Sequence, residues 1–162
     1  MEPLTQPLSL RWVDRPAGYR NFESAYFVGR GRDTFDRSAE ELLHWEVKVR
    51  SGFDIGVDSP RVRAGQEPTI FVRLGPFRLP EPARVIEVFE SETRRGFTYG
   101  TKPGHPITGE ESFILIHTPD DRVFLVLRSV SRAGTGIWRL GEPFVRLAQI
   151  IYRRRYSRAL RE

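Results

Sequence analysis

Apolar and polar residues alternate with a period of two along most of the chain after residue 60, which is typical of β-strands. The links between the alternating segments are short and rich in glycine, proline and aspartate. Such links join antiparallel neighbours, because parallel strands need long crossover connections. The pattern therefore predicts one strongly curved antiparallel sheet of about six to seven strands. The predicted strands are 21–30, 61–64, 69–74, 83–91, 94–101, 110–118 and 122–132.

Two segments carry apolar residues at the three- and four-residue spacing of an α-helix. The shorter one follows the first strand and extends from about Phe35 to Trp45. The longer one ends near Leu160 and begins near Gly141, because Pro143 is tolerated only in the first turn of a helix. The sequence thus predicts a short helical region after the first strand and a long C-terminal helix.

The apolar residues of the longer helix predict how it packs. One face of a curved antiparallel sheet must be covered, and only this helix is long enough to cover it. We therefore expect its apolar stripe to lie against the sheet. The stripe consists of Ile137, Leu140, Phe144, Leu147, Ala148 and Ile151.

One stretch, from Gly96 to Phe113, combines turn residues with chemically capable side chains. Its glycines and prolines predict a strand, a rigid loop and a second strand. His105 in the loop could carry a proton near neutral pH, with Glu110 or Glu111 as its partner and Tyr99 as a hydroxyl donor. The alternative is that the prolines fix a turn and the polar side chains bond the loop backbone.

The order of strand, short helical region, antiparallel sheet and long terminal helix resembles the helix-grip architecture of the START-like or birch-allergen-like (SRPBCC) superfamily. The motif formed by Gly96–Pro106 and Gly109–Phe113 also resembles the signature of a bacterial and plant family known only as a domain of unknown function, number 1990. The resemblance covers most of the chain from about residue 20. It implies an α+β fold, with residues 21–162 as a single helix-grip domain. The prolines and glycine at 3, 7, 16 and 18 predict that residues 1–20 are an irregular lead-in. That family has no established activity, but the superfamily implies a small, often hydrophobic ligand held between sheet and helix.

Strand alternation selects the residues that could contact such a ligand. Glu111 and Phe113 share one face of their strand, and Phe97 and Tyr99 share one face of the neighbouring strand. Arg128 lies among apolar residues of the last strand, where it could bind an anionic group of a ligand or pair with a nearby acid. The predicted ligand contacts are Tyr99, His105, Glu111, Phe97, Phe113 and Arg128.

The sequence therefore predicts a domain that binds a small apolar or amphipathic molecule in a cavity between the sheet and the C-terminal helix. A first alternative is an enzyme of the same fold, in which His105 and Glu110 or Glu111 form an acid–base pair. A second is binding of nucleic acid or another anionic partner through the arginines at 153, 154 and 155. Arginines near a helix C-terminus also complement its dipole, and no nucleic-acid-reading motif accompanies Arg153, Arg154 and Arg155, so a nucleic-acid partner is not expected.

Composition narrows the remaining possibilities. The chain has 162 residues, which fits one domain, and its net charge is +5. Seven arginines and two glutamates lie between Arg139 and Glu162, so the rest of the chain is close to neutral. There is no cysteine, and the histidines at 44, 105 and 117 lie in different predicted elements. We therefore expect no disulfide, no metal site and no cofactor.

The sequence also bears on location. No apolar run approaches the roughly 20 residues that a membrane-spanning helix needs. The first residues, Met1-Glu2-Pro3, do not begin a signal peptide, because no basic start and apolar core follow. These observations predict a cytoplasmic protein.

Overall fold

The computed structural model describes residues 2–134 and 136–161. Within these residues, seven antiparallel strands form one sheet in the order β1-β7-β6-β5-β4-β3-β2. The strands are β1 Arg20–Arg30, β2 Phe53–Gly56, β3 Thr69–Leu74, β4 Phe77–Glu90, β5 Arg94–Thr101, β6 Ile107–His117 and β7 Arg122–Ala133. The helices are α1 Arg32–Leu43, α2 Glu46–Val49, α3 Ile137–Leu140 and α4 Glu142–Ala159. The predicted α+β helix-grip fold is confirmed.

Two strand predictions were wrong. Residues 61–64 form no strand, because the N–H of Val62 donates to the carbonyl of Leu43 at 2.8 Å instead of pairing in the sheet; the Val62 side chain is buried in the hydrophobic core. Strand β2 was missed. It is only four residues long and pairs with β3 alone, at the edge of the sheet.

Strand β4 begins earlier than predicted and includes two prolines. Pro80 lies opposite Phe71, and Pro82 lies opposite Thr69 in the pairing with β3. A proline removes only a donor from the ladder, so its carbonyl can still take part. The carbonyl of Pro82 accepts a hydrogen bond from the N–H of Lys102 at 3.0 Å, which links β4 to the end of β5.

The helices cover one face of the sheet, which we call the inner face, and the main core lies there. Helix α1 is amphipathic and buries Phe35, Ala39, Leu42 and Leu43 in this core. The sheet contributes alternate residues of its central strands, as the two-residue period predicts. They include Phe97 and Tyr99 of β5, Phe113 and Leu115 of β6, and Leu125 and Leu127 of β7.

Helix α4 packs on the inner face only with its C-terminal half. Pro143 lies in its first turn, as predicted, and Tyr156 and Ala159 are buried. The prediction that the apolar stripe faces the sheet was wrong for most of its members, since Phe144 is 78% exposed and Leu147 is 56% exposed. The N-terminal half of α4 bounds an open space. None of the described helices is long and apolar enough to cross a membrane.

The lead-in lies on the opposite, outer face of the sheet. Residues 2–19 form no helix or strand, yet Trp12 is only 5% exposed. The hydroxyls of Thr5 and Ser112 are 2.5 Å apart, and Arg94 Nε donates to the carbonyl of Pro7 at 2.7 Å. Strand β6 is therefore covered on both faces, which explains its apolar residues on both sides. The boundary between lead-in and domain at residues 20 and 21 stays a prediction.

Candidate functional site

A cavity of about 410 Å³ lies between the inner face of the sheet and helix α4. Its volume falls within the roughly 300–1,000 Å³ that is usual for small-molecule sites. The helix side is formed by Trp138, Phe144, Val145, Ala148, Gln149, Tyr152, Arg153 and Tyr156. The sheet side includes the apolar residues Phe53, Val72, Leu79, Ile107 and Val130. A space of this size and lining can hold a largely apolar small molecule.

Four polar side chains in the cavity wall form what we call the lysine cluster: Lys48, Tyr99 and Tyr156, which are buried, and Glu111, whose side chain is 18% exposed. Lys48 Nζ donates to Tyr156 Oη at 2.6 Å, to Tyr99 Oη at 2.7 Å and to Glu111 Oε2 at 3.1 Å. The hydroxyl of Tyr99 donates to the same oxygen of Glu111. An ammonium group has three N–H donors, so Lys48 uses all of its donors within the protein.

Backbone geometry brings the lysine cluster together. Trp45 adopts a left-handed conformation, with φ of 65°, between α1 and α2 and so starts the short helix that carries Lys48. Tyr99 and Glu111 lie directly opposite each other in the β5–β6 pair. The rings of Phe53, Tyr99, Phe113 and Tyr156 have their centroids 4.6–5.5 Å from Lys48 Nζ. The buried cation is thus stabilised by aromatic faces as well as by Glu111.

The environment fixes the protonation states of this cluster. Burial alone would raise the pKa of Glu111, but the charge of Lys48 and the hydrogen bonds from Tyr99 and Lys48 outweigh it and lower the pKa. Burial, and then the charge of Glu111, raises the pKa of Tyr99 and that of Tyr156 well above the usual value for a phenol. Both tyrosines are therefore protonated donors at neutral pH, and Glu111 is ionised.

Glu81 and His105 lie together in the same cavity wall. His105 Nε2 is 3.6 Å from Glu81 Oε2, and the N–H of Ile107 donates to His105 Nδ1 at 3.0 Å. Burial, and then the charge of Lys48, lowers the pKa of His105 to about 4. Burial, and to a lesser extent Glu111, raises the pKa of Glu81 to about 7 against the opposing effect of Lys48. At neutral pH the imidazole is uncharged and Glu81 exchanges its proton.

The predicted acid–base pair is not formed. In the described part of the chain, the polar contacts of the His105 imidazole are with Ile107 and Glu81, and no hydrogen bond or ion pair joins it to Glu110 or Glu111. The carboxylate of Glu110 accepts a hydrogen bond from the N–H of Leu4 at 2.7 Å on the outer face. Glu111 belongs to the lysine cluster. Two of the expected partners of His105 are thus already engaged elsewhere.

The other predicted ligand contacts have different positions. Tyr99, His105 and Glu111 line the cavity. Phe97 and Phe113 are fully buried in the core, where their ring centroids are 5.6 Å apart, and Phe113 also packs edge-on against Tyr156. These two phenylalanines therefore support the cavity wall from behind.

Arg128 faces away from the cavity, which corrects the sequence-based expectation. It is 2% exposed on the outer face, where its Nε donates to Glu23 Oε2 at 2.5 Å and its other nitrogens donate to backbone carbonyls of the lead-in. By strand alternation Arg128 shares a face with Phe124 and Val126, and the lead-in binds this face at Arg128. Arg128 holds the N-terminal segment on the sheet.

The three consecutive arginines of α4 do not form one patch. Arg153 lines the cavity and donates to Ser129 Oγ at 3.1 Å. Its guanidinium carbon lies 3.8 Å from the ring centroid of Phe22. Arg155 donates to the carbonyl of Ser51 at 3.1 Å, and Arg154 is exposed. Consecutive residues of an α-helix point about 100° apart, because there are about 3.6 residues in a turn. A single anionic partner cannot contact all three side chains from one side.

Three residues of the site were missed from the sequence: Lys48, Glu81 and Tyr156. Lys48 is one of only two lysines in an arginine-rich chain, which was a usable signal. Glu81 lies between Pro80 and Pro82, and this context favoured a turn. No cluster of three or more histidine, aspartate or glutamate side chains suited to a metal occurs within residues 2–134 and 136–161.

Comparison with known proteins finds a family match over most of the chain. Residues 7–159 match the model of a family described as a domain of unknown function (DUF1990). A UPF0548 protein of Deinococcus radiodurans is 39% identical over 77 residues, which cover 48% of this chain and 39% of that protein. A UPF0548 protein of Arabidopsis thaliana is 28% identical over 141 residues, which cover 82% of this chain and 67% of that protein. The match thus spans well under half the length of the bacterial relative.

Solved structures share the architecture. Norcoclaurine synthase from Thalictrum flavum, in complex with dopamine and hydroxybenzaldehyde, is similar with a TM-score of 0.57 at 12% identity. The likeness covers 86% of this chain and 84% of that chain. At this level of identity the likeness establishes the helix-grip fold and nothing more.

Proposed function

The chain belongs to the family described as a domain of unknown function (DUF1990), and we propose that it binds a small amphipathic molecule inside the helix-grip cavity. The observation that carries this proposal is the cavity of about 410 Å³, which is lined mainly by apolar side chains and has buried polar groups in one part of its wall. Small-molecule sites typically combine an apolar lining with a few fixed polar groups in this way.

The apolar and the polar parts of the cavity wall indicate where the apolar body and the polar group of a ligand would bind. Leu79, Val145 and Ala148 offer the apolar body of a ligand an apolar surface between sheet and helix. The lysine cluster, with Glu81 and His105 beside it, offers hydrogen bonds to a polar group. Because Lys48 and Glu111 neutralise each other, a ligand needs no formal charge to fit there.

The similarity to norcoclaurine synthase supports the proposal only at the level of the fold. That enzyme was solved in complex with dopamine and hydroxybenzaldehyde, so a helix-grip protein can hold small aromatic molecules. At 12% identity neither ligand is carried over to this chain. The ligand of this chain is inferred from its own cavity.

The test is native mass spectrometry of the purified protein, together with titration of 1-anilinonaphthalene-8-sulfonate, a dye that fluoresces in apolar cavities. The variant Ala148→Trp fills the cavity, and we expect it to lose a co-purified molecule and the dye signal. The matched control is Leu147→Trp, which adds the same bulk on the exposed side of α4 and should behave as the wild type. Equal dye binding by both variants would contradict the proposal.

The anionic-partner alternative is not proposed, because the arginines at 153, 154 and 155 diverge. The cytoplasmic location stays a prediction from the sequence.

A further inference from the structure

The hydroxyl of Tyr156 has a proton to donate. Its oxygen accepts a hydrogen bond from Lys48 at 2.6 Å, whereas the hydroxyl of Tyr99 donates to Glu111. In residues 2–134 and 136–161 no hydrogen bond donated by Tyr156 is present, and Tyr156 lines the cavity. A hydrogen bond from a cation to the phenol oxygen polarises the O–H bond and makes it a stronger donor. A bound molecule with an acceptor oxygen would complete this site.

Lys48 itself is not the reactive group. Its three N–H donors are taken by Tyr99, Tyr156 and Glu111, and it is 2% exposed. A nucleophilic amine needs a free lone pair, which an ammonium paired with a carboxylate does not have. Lys48 is therefore a positioning residue that holds and polarises Tyr156.

Glu81 is the group in the same cavity that can accept a proton. Its side chain is 15% exposed, and the contact that the structure gives it, His105 Nε2 at 3.6 Å, is longer than a hydrogen bond. Its oxygens therefore remain available to a ligand. The charged or titratable groups that interact with it are Lys48, Glu111, His105 and the phenols of Tyr99, Tyr152 and Tyr156.

The two carboxyl groups of the cavity have opposite environments. Glu111 is held ionised by Lys48 and by two hydrogen bonds, whereas burial raises the pKa of Glu81 to about 7. A carboxyl group with a pKa near neutrality can both take up and return a proton. Paired groups whose surroundings drive their pKa values apart are typical of acid–base sites.

A hydroxyl donor without an acceptor in the described residues and a carboxylate base, both in the wall of one cavity, are the two groups that enolisation requires. We propose that the cavity catalyses proton transfer at the carbon beside the carbonyl group of an apolar ketone, with Glu81 as the base and Tyr156 as the donor to the carbonyl oxygen. This inference rests on the proposed binding function and adds a substrate class and a reaction to it.

The step balances within the site. The carboxylate of Glu81 takes the proton, the electrons of the C–H bond form a C=C bond, and the carbonyl π electrons move to the oxygen. That oxygen becomes an enolate, and it accepts the hydrogen bond of Tyr156. Glu81 then returns the proton to the same carbon or to a conjugated one. No oxidant, reductant or second substrate is consumed.

The probe for this reaction is 2-tetralone, a bicyclic apolar ketone whose protons at carbon 1 are acidic. In D2O, proton NMR measures the rate at which these protons are replaced by deuterium. We expect the wild-type protein to accelerate exchange over buffer, with a rate that rises as the pH increases through the pKa of Glu81, about 7. The variants Glu81→Gln and Tyr156→Phe should each lower the rate about 100-fold.

Matched controls test the specificity of these effects. Glu90→Gln makes the same change on β4 at an exposed glutamate that pairs with Arg61, and Tyr19→Phe makes the same change in the lead-in. Both controls should exchange at the wild-type rate. A further measurement needs no variant: 2-naphthol, which has the planar shape and hydroxyl of the enol, should bind the wild-type protein more tightly than 2-tetralone.

Three results would overturn the inference and leave the binding function in place. They are exchange at the buffer rate although 2-tetralone binds, wild-type exchange by Glu81→Gln, and failure of both 2-tetralone and 2-naphthol to bind a protein that binds the dye. The binding function itself fails if Ala148→Trp and Leu147→Trp bind the dye equally. The two failures are therefore distinguishable.

Discussion

Lys48 Nζ lies 2.6 Å from the phenol oxygen of Tyr156, although 108 positions separate the two residues in the sequence. This bond joins α2 to α4, and the bonds of the same ammonium to Tyr99 and Glu111 reach β5 and β6. One buried cation thus connects both helical segments to the sheet at the wall of the cavity. Its loss would leave the carboxylate of Glu111 buried without its partner.

Replacing Lys48 by methionine should therefore lower the free energy of unfolding by about 3–5 kcal/mol, because the charge of Glu111 is left uncompensated. Urea denaturation measures this change. The other lysine, Lys102, provides the control, since its side chain is 39% exposed and pairs with Glu67 on the surface. Lys102→Met should cost less than about 1 kcal/mol. Adding Glu111→Gln to Lys48→Met should restore part of the lost stability, and a further loss would contradict the argument.

Much of the fold could be predicted because local pattern and tertiary burial agree in the central strands. Helices cover the inner face of β5 to β7, and the lead-in covers the outer face of β6. The apolar residues on the inner face of these strands and on the outer face of β6 are therefore buried, as their alternation in the sequence indicates. The pattern failed at 61–64, where the position of Val62 is decided by its contact with Leu43. The pattern also failed for the packing of α4. The period of a helix shows which of its sides is apolar, but it does not show whether that side packs against the sheet.

The site was predictable only where it lies within one hairpin. Tyr99 belongs to β5, His105 to the loop that follows and Glu111 to β6. The Gly96–Phe113 stretch of the sequence contains all three and so revealed them together. Lys48 and Tyr156 come from distant elements that no local spacing connects. Alternation could not decide the direction of Arg128 either, since it groups residues by face without showing which face the helices cover.

The close approach of β5 and β6 predicts a cost for any side chain at Gly96. A Cβ atom there would lie 2.0 Å from the carbonyl oxygen of Phe113, which is backbone and cannot rotate away. Gly96→Ala should lower the free energy of unfolding by about 3 kcal/mol. In Gly141→Ala the new Cβ would be 3.8 Å from its nearest contact, so this control should stay within about 1 kcal/mol of the wild type. Equal stability of the two variants in urea denaturation would show that the strands can separate.

The position of Arg128 predicts that its removal loosens the lead-in and leaves the cavity intact. Arg128→Met removes the five hydrogen bonds that the guanidinium donates to Glu23 and to carbonyls of the lead-in, and should cost about 2 kcal/mol. Amide hydrogen exchange should become faster in residues 5–12, while dye binding is retained. Arg132→Met, at an exposed position of the same strand, is the control and should change neither. Loss of dye binding in Arg128→Met alone would instead indicate a link between the outer face and the cavity.

Glu81 makes stability fall as the pH rises. Its pKa is about 7 in the folded protein, against 4.5 for an ordinary glutamate, because burial, and then the charge of Glu111, disfavours the ionised form while Lys48 opposes this shift. Between these two pH values the folded state keeps a proton that the unfolded state has released, so raising the pH favours unfolding by up to about 3 kcal/mol. Relative to the wild type, Glu81→Gln should therefore gain stability between pH 4.5 and about 7. Parallel curves for wild type and Glu81→Gln would contradict the assignment.

His105 should produce the opposite slope in an overlapping range. Burial, and then the charge of Lys48, lowers its pKa from 6.5 to about 4. Between these two pH values the imidazole is protonated in the unfolded state and neutral in the folded state. Stability contributed by the neutral ring is complete above pH 6.5 and is lost as the pH falls towards 4, by up to about 3 kcal/mol. His105→Gln should gain stability relative to the wild type over this range.

Because Glu81 and His105 oppose each other between pH 4.5 and 6.5, the wild-type stability should vary less with pH than that of either variant. Urea denaturation of all three proteins at closely spaced pH values measures the slopes. In Glu81→Gln the remaining histidine should make stability rise with pH, and in His105→Gln the remaining glutamate should make it fall. Slopes of the same sign in the two variants would mean that one of the groups is solvated in the folded protein. Burial would then not shift the pKa of that group, and the proposed proton transfer would lose its basis.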